Sequence, residues 1–314
     1  MTYDVVIIGG GAAGLNAALM LTRARRSVLV VDSGEPRNAP AAHLHGFLSR
    51  DGLPPRELLE IGRDEVRGYG GEIVTAEVTS AIADGDEFVV SLENRTVRAR
   101  RLLVTTGLTD ELPDLDGLRD RWGRDVLHCP YCHGWEIRDQ PVAVLATTPN
   151  AMHVTTLVRQ WTPHVTLLLH TGAEPTDEEW EQFAARDISV VDGEVAGLEV
   201  VADELAGVRL RTGEVIGLRA LFVTPKFVAR AGVLAGLGIT TTEHPWGGSY
   251  VASDETGRTS VPGVWVAGNV TDPSAQVITA AAGGAKAAAM INADLVGEDT
   301  RNAVRDRRNS LTPH

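Results

Sequence analysis

Val5-Val6-Ile7-Ile8-Gly9-Gly10-Gly11-Ala12-Ala13-Gly14 stands near the start of the chain. The apolar run Val5 to Ile8 suits a short strand buried on both faces. Gly9, Gly11 and Gly14 have the spacing Gly-x-Gly-x-x-Gly, and Leu15 to Arg25 follows with helical periodicity. A second strand-like run, Ser27-Val28-Leu29-Val30-Val31, ends in Asp32. In such a unit the first glycine permits a tight turn and the second lets the backbone approach a pyrophosphate. The third lets helix and strand pack closely. The helix N-terminus offers free N–H groups to the phosphates. Asp32, about twenty residues further on, is placed to accept hydrogen bonds from an adenosine ribose. A glycine triplet alone is a weak signal. Strand, glycines, helix, strand and acid in register predict a nucleotide-binding βαβ unit.

At 314 residues the chain is long enough for about two domains. A hydrophobic content of 43% and a charged content of 23% are those of an ordinary globular protein. The net charge of −13 argues against nucleic acid and anionic membranes, both of which need a basic face. Met1-Thr2-Tyr3-Asp4 runs straight into the first strand, without the basic and apolar regions of a signal peptide. No apolar run approaches the roughly 20 residues that span a bilayer. A cytoplasmic protein is expected.

Arg37 to Gly52 reads as a loop carrying His43, His45, Gly46 and Phe47. Pro54 to Gly68 reads as a helix. Gly71 to Ile82, Glu87 to Leu92 and Thr96 to Val104 read as strands, the last stopping at Thr105-Thr106-Gly107. The proline- and glycine-punctuated stretch Leu112 to Leu118 marks a domain boundary. Beyond it, strand Pro141 to Leu145, helix Ala151 to Trp161 and strand Val165 to Leu169 repeat the βαβ shape. The glycines are missing. Ala146, Thr147, Thr148, Pro149, Asn150 and Ala151 stand where the turn should carry them. No lysine or arginine follows Leu169 until Arg186, and a 2′-phosphate would meet Glu174, Asp177, Glu178 and Glu179. The second unit therefore reads as a nucleotide fold that has lost its nucleotide; the alternative is a pyridine nucleotide bound in an unorthodox way. Further strands are expected at Ile188 to Val191, Glu194 to Val201, Val208 to Leu210 and Leu221 to Val223. Gly263-Val264-Trp265-Val266-Ala267-Gly268-Asn269-Val270 then precedes a helix over Gln276 to Leu295. Alanine and glycine on one face of that helix allow close approach of another backbone or of a flat ring. The polar tail, Gly297 to His314, is expected to fray.

The chain's only two cysteines lie in Cys129-Pro130-Tyr131-Cys132-His133-Gly134. At this spacing two thiols close and reopen a small disulfide ring, and one thiol usually has a lowered pKa. Structural zinc usually draws on two separated ligand pairs. Here His128, Cys129, Cys132 and His133 are crowded into six residues, so no metal is expected. Cys-x-x-Cys-His is also the haem-attachment pattern, but covalent haem is normally assembled outside the cytoplasm. Redox chemistry takes most of the weight.

The glycine unit, Thr105-Thr106-Gly107, Cys129-x-x-Cys132 and the Gly263 to Val270 stretch, in this order, resemble the low-molecular-weight thioredoxin reductase family of flavoproteins. The resemblance covers roughly residues 3 to 296. It implies an α/β protein of two Rossmann-like, three-layer domains, the second inserted in the first. Residues 1–113 and 243–314 would form the FAD-binding domain, and 114–242 the inserted domain carrying the cysteines. FAD and a homodimer are also implied. The cofactor-binding residues carried over are Gly9, Gly11, Ala12, Ala13, Gly14 and Asp32 in the first unit, and Val78, Thr106 and Gly107 beyond it. Gly268, Asn269, Gln276 and Val277 complete the set. Asn269 stands where the family usually has an Asp that holds the ribityl chain. Gln276 and Val277 match the flavin's pyrimidine end, where a helix N-terminus stabilises negative charge. Cys132 would face the flavin, leaving Cys129 to exchange with substrate.

Two departures redirect the expected function. His133 stands where the reductases have an Asp acid/base, and the second unit lacks its fingerprint. Both look like the branch that oxidises small-molecule dithiols, such as those of epidithiodiketopiperazine and dithiolopyrrolone antibiotics. Electrons would pass from substrate dithiol to Cys129–Cys132, to FAD and to O2, with His133 (or His128) helping to form the substrate thiolate. One rival is a reductase of a thioredoxin-like protein, itself reduced by ferredoxin or NADPH. Another is a non-enzymatic flavin redox sensor. Trp135, Trp246, His244 and residues 43–47 are candidates to shape the substrate pocket.

Overall fold

The computed structural model describes residues 2–311. Strand β1 (Thr2–Ile8), helix α1 (Ala12–Arg23) and strand β2 (Val28–Asp32) realise the first βαβ unit. Helix α2 (Pro55–Gly68) and strands β3 (Glu72–Thr75), β4 (Val78–Asp84), β5 (Glu87–Leu92) and β6 (Thr96–Val104) follow. β1 is parallel to both neighbours, β2 and β6, and Val5 to Ile8 are buried between packed layers. That position explains a run with no polar alternation. The single strand expected over Gly71 to Ile82 is two. β3 pairs parallel with β2, and β4 pairs antiparallel with β5. Between them the Ala76 N–H donates to the Asp32 carbonyl at 3.0 Å, and the chain turns out of the parallel sheet. Apolar residues continue on both sides of that turn, so the pattern alone does not reveal it.

Strand β7 (Leu108–Glu111) leads out of this sheet. The second unit contains β8 (Val126–Leu127), α3 (Pro130–His133), β9 (Val142–Leu145), α4 (Asn150–Val158), β10 (Val165–Leu168), α5 (Asp177–Ala185) and β11 (Ser189–Val191). An antiparallel sheet, β12 (Val195–Val201), β13 (Glu204–Leu210) and β14 (Val215–Gly217), precedes β15 (Ala220–Val223). β15 returns to the parallel sheet, whose order is β11-β10-β9-β15-β8. The expected elements do not include α5. Thr176 and Glu179 form its capping box, so part of the acidic run expected to repel a 2′-phosphate serves as a helix start.

Strand β16 (Lys226–Ala229) runs back antiparallel to β7. With β17 (Thr241–Glu243) and β18 (Gly248–Val251) these form a small sheet where the chain crosses between the units. β19 (Val264–Val266) rejoins the first sheet beside β6, and α6 (Val277–Leu311) follows. The result is the expected α/β architecture of two Rossmann-like domains, one inserted in the other.

The tail requires correction. α6 runs unbroken through Gly297 to Leu311; residues 312–314 lie outside the described residues. The charges that suggested fraying hold it instead. Arg101 bonds Asp294 at 2.6 Å and also Glu298. Arg100 bonds Glu298 at 2.7 Å and Asp4 at 2.8 Å, and Arg26 bonds Asp299 at 2.8 Å. No glycine or proline interrupts residues 298–311, so the helix continues past this cluster although most side chains of residues 300–310 are exposed.

The small-residue face of α6 receives another backbone. A Cβ at Gly284 would overlap the Ala13 carbonyl oxygen, and Asn16 Nδ2 donates to the Ala281 carbonyl at 2.8 Å. Gly284→Ala is therefore expected to destabilise the protein by about 1–3 kcal/mol through overpacking, measured by urea denaturation. On an exposed helix face the same change stabilises by about 1 kcal/mol, so the sign of the change is the test.

Candidate functional site

A cavity of about 1440 Å³ runs from the glycine-rich turn after β1 to the two cysteines. Gly9 has φ +108°, which a side chain rarely tolerates, and lies against the Thr105 carbonyl. Nothing lies within 4 Å of where a Gly11 Cβ would be, so its backbone is bare toward open space. Gly14 does not line the cavity. It packs against the Gly9 carbonyl, as expected of the packing glycine. Ala12 and Ala13 line the cavity at the start of α1, where a helix leaves N–H groups unpaired. Asp32 Oδ1 accepts from the Gly10 N–H at 3.0 Å, and Oδ2 accepts from Arg63 at 2.9 Å. A carboxylate has about four acceptor positions, so capacity remains for a ribose. Arg63, which sequence reading missed, thus holds the acid in place.

Val78, Thr106, Gly107, Gly268, Asn269, Gln276 and Val277 line the same cavity. Thr106 Oγ1 donates to the Arg230 carbonyl at 2.6 Å, tying this edge to the chain returning from the second unit. Asn269 Nδ2 donates to the carbonyls of Asp272 (3.1 Å) and Ala275 (2.9 Å), which fixes the loop leading into α6. An ionised aspartate could donate to neither. The asparagine therefore organises the loop while its amide oxygen stays available as an acceptor.

Cys129 and Cys132 are joined in a disulfide. Cys129 caps α3, and its carbonyl accepts from the N–H groups of Cys132 (3.1 Å) and His133 (3.3 Å). Gly134 ends the turn against Trp161, where a Cβ would collide with the indole. Both cysteines and His133 are half-buried and line the cavity. Burial pushes the His133 pKa down; Glu136 opposes that shift and His45 adds to it. At neutral pH the imidazole is thus held in its uncharged, proton-accepting form.

His128 also lines the cavity, stacked 5.5 Å from Trp122 and edge-on at 5.9 Å to Phe227. Burial, with the nearby Arg37 cation, pushes its pKa down to about 4. Between pH 6.5 and about 4 the unfolded chain binds this proton and the folded protein does not. The contribution is complete above pH 6.5 and is lost as the pH falls toward 4, by up to about 3 kcal/mol. His128→Phe is expected to lose correspondingly less stability than the wild type between pH 7 and 4.5, compared by urea denaturation.

Three long-range contacts escaped sequence reading. Arg37 bonds Asp110 through two nitrogens (2.8 and 2.6 Å) and lies over Phe227 at 5.0 Å. Gly123 packs against Pro40. His45 Nε2 lies 3.4 Å from Glu136 Oε1. All three involve the loop between β2 and α2, and no local pattern announces partners so far away in sequence. Of the candidate pocket residues, Trp246, His43, Leu44 and His45 line the cavity. Trp135 instead packs under Arg138 at 4.2 Å, and His244 packs edge-on against Trp246 at 5.4 Å.

The turn of the second βαβ unit is filled from within. Ala146 is fully buried, and a Cβ on Gly172 would collide with it. Thr148 Oγ1 donates to Thr224 Oγ1 at 2.8 Å. His170, just beyond β10, accepts the Val195 N–H at 3.0 Å.

A dinucleotide-type cavity that ends on a redox-spaced disulfide defines a flavin-dependent disulfide oxidoreductase. The chain belongs to the pyridine nucleotide-disulphide oxidoreductase family, which matches residues 3–285. It is similar to the crystal structure of HlmI, with 47% identity and a TM-score of 0.93 over 99% of this chain and 98% of that one. The crystal structure of an oxidoreductase from Agrobacterium tumefaciens matches with 36% identity and a TM-score of 0.89, over 94% and 99%. Thioredoxin reductase sirT from Leptosphaeria maculans is 30% identical over 95% of each chain. The cofactor of this family is FAD. The residues present fit it: bare backbone at Gly11, the braced Asp32 carboxylate, and the start of α6 at Gln276 and Val277 all face one continuous cavity.

Proposed function

We propose that the protein oxidises a substrate dithiol to a disulfide, with O2 as the final acceptor and hydrogen peroxide as product. The observation that carries this reading is the filled turn of the second unit. Ala146 packs against Gly172 and Thr148 bonds Thr224 where a nucleotide-binding turn would carry bare glycine backbone, which supports a turn that does not cradle a pyridine nucleotide's pyrophosphate. Reducing equivalents then enter through sulfur.

In this reading Gly11 and the start of α1 bind the cofactor's pyrophosphate, Asp32 its ribose, and Asn269 its ribityl chain. Bound FAD supplies a two-electron acceptor that O2 reoxidises. His133 takes the proton of the incoming substrate thiol at a ring nitrogen. The resulting thiolate attacks Cys129 Sγ, and Cys132 leaves as thiolate. The second substrate thiol then displaces Cys129 and closes the substrate disulfide. Residues 1–113 with 243–314, and residues 114–242, are the two domains of the reading, and the protein acts as a cytoplasmic homodimer. Its substrate is a small dithiol. The name of the sirT relative points instead to a thioredoxin-like protein, and that reading requires a different source of electrons.

The deciding experiment mixes the purified yellow protein under argon with NADPH or with a dithiol. Bleaching by dithiol alone, followed by peroxide formation in air, is expected. Rapid bleaching by NADPH would overturn the proposal in favour of a reductase. Slow response to both, without turnover in air, would indicate a redox sensor.

A further inference from the structure

We infer that His45 and Glu136, which meet across the two units beside the redox pair, form the proton path between His133 and solvent. The inference rests on the dithiol-oxidation reading and adds to it the residues that restore His133 after each turnover.

His45 comes from the loop between β2 and α2, and Glu136 lies three residues beyond His133. Both nitrogens of His45 face carboxylates: Nε2 is 3.4 Å from Glu136 Oε1, and Nδ1 is 3.3 Å from Asp51 Oδ2. Asp51 is itself fixed by the Gly46 N–H at 2.9 Å. Exposure rises outward from the His45 side chain at 24% to Glu136 at 44% and Asp51 at 66%. A neutral imidazole carries one N–H, so only one of its two acids receives a hydrogen bond at a time. A proton accepted at one nitrogen and released from the other crosses the ring.

The chemistry requires His133 to be free of its proton at the start of each turnover. A dithiol that becomes a disulfide gives up two electrons and two protons. The first proton goes to His133 as the substrate thiolate bonds to Cys129 Sγ and the Cys129–Cys132 bond breaks. The second leaves as the second substrate sulfur closes the product and Cys129 departs. Cys129 and Cys132, both now reduced, re-form their disulfide as they give up the electron pair, which ends on dioxygen; dioxygen takes up two protons as hydrogen peroxide, so the overall balance closes. His133 must still lose its proton before the next thiol arrives. The titratable groups acting on it are Glu136 and His45, and it acts in turn on His128. His128 is wedged between Trp122 and Phe227 and resists protonation, so it offers no way out. Glu136 and His45 lead to water.

The test follows steady-state oxidation of dithiothreitol by the FAD-loaded protein in air, read as peroxide formation from pH 6 to 9, because only repeated turnover requires His133 to lose its proton. Glu136→Gln and His45→Gln are each expected to slow it roughly tenfold near neutral pH in dilute buffer, less than the loss of a direct acid or base. Added imidazole should restore most of the rate. The low-pH inflection should move down in Glu136→Gln and up in His45→Gln, because the first group raises and the second lowers the His133 pKa. Wild-type rates and profiles in both variants, or a loss that imidazole does not recover, would overturn the inference while leaving dithiol oxidation standing. If either variant fails to retain FAD, the other decides. A wild-type protein that forms no peroxide from dithiothreitol would remove both proposals together.

Discussion

Cys132→Ser is expected to abolish flavin bleaching by dithiols, lowering the rate by about 10⁴-fold or more, as when a nucleophile is removed. The wild-type site holds a preformed disulfide that an incoming thiolate can attack. With serine at 132 no such bond exists, and Cys129 is left as a lone thiol with nothing to exchange. Binding of FAD should survive, because Gly9, Gly11, Asp32 and Gln276 belong to other elements and Cys132 contributes only to the far wall of the cavity. The check is direct: FAD content by absorbance, then anaerobic bleaching by dithiothreitol. Loss of bleaching with full FAD occupancy is the expected pair of results. A variant that bleaches at the wild-type rate would show that electrons reach the flavin without the cysteine pair, and the mechanism would fall.

The parts of this protein that are legible in the sequence are those whose chemistry is written over adjacent residues. The spacing of Gly9, Gly11 and Gly14 alone assigns each a separate role, because a turn, a bare approach and a close packing each exclude a side chain for a local reason. The fold places them accordingly. The missing fingerprint of the second unit is equally local. The filling itself is not: Gly172 packs on Ala146 across 26 positions, and Thr224 meets Thr148 across 76. Charge is the least reliable guide. The tail after Gly297 looks solvated because the partners of Glu298 and Asp299 lie far away in sequence: Arg26, Arg100 and Arg101 on the first sheet and its first helix connection. The contacts of the Arg37 to Asp51 loop are hidden in the same way. His45 looks like a solvated loop residue because Glu136 lies 91 residues away.

His133→Ala is expected to slow dithiol oxidation by about 10²- to 10⁴-fold at neutral pH, the usual cost of removing a general base. The pH dependence separates this role from simple packing. Burial lowers the pKa of His133, so the base is uncharged at pH 7 and stays so below the ordinary histidine value of 6.5. Wild-type activity should therefore hold as the pH falls to 6.5 and decline only below it, as the imidazole takes up its proton. In the alanine variant that inflection should vanish. Its rate should instead climb with the substrate's own ionisation, and the deficit should shrink above roughly pH 8.5, where an ordinary thiol is already largely thiolate. A His133→Ala rate equal to the wild type at pH 7, or a deficit unchanged from pH 6 to 9, would mean that His133 does not take the substrate proton. The half-buried imidazole beside the disulfide would then be only a part of the cavity wall.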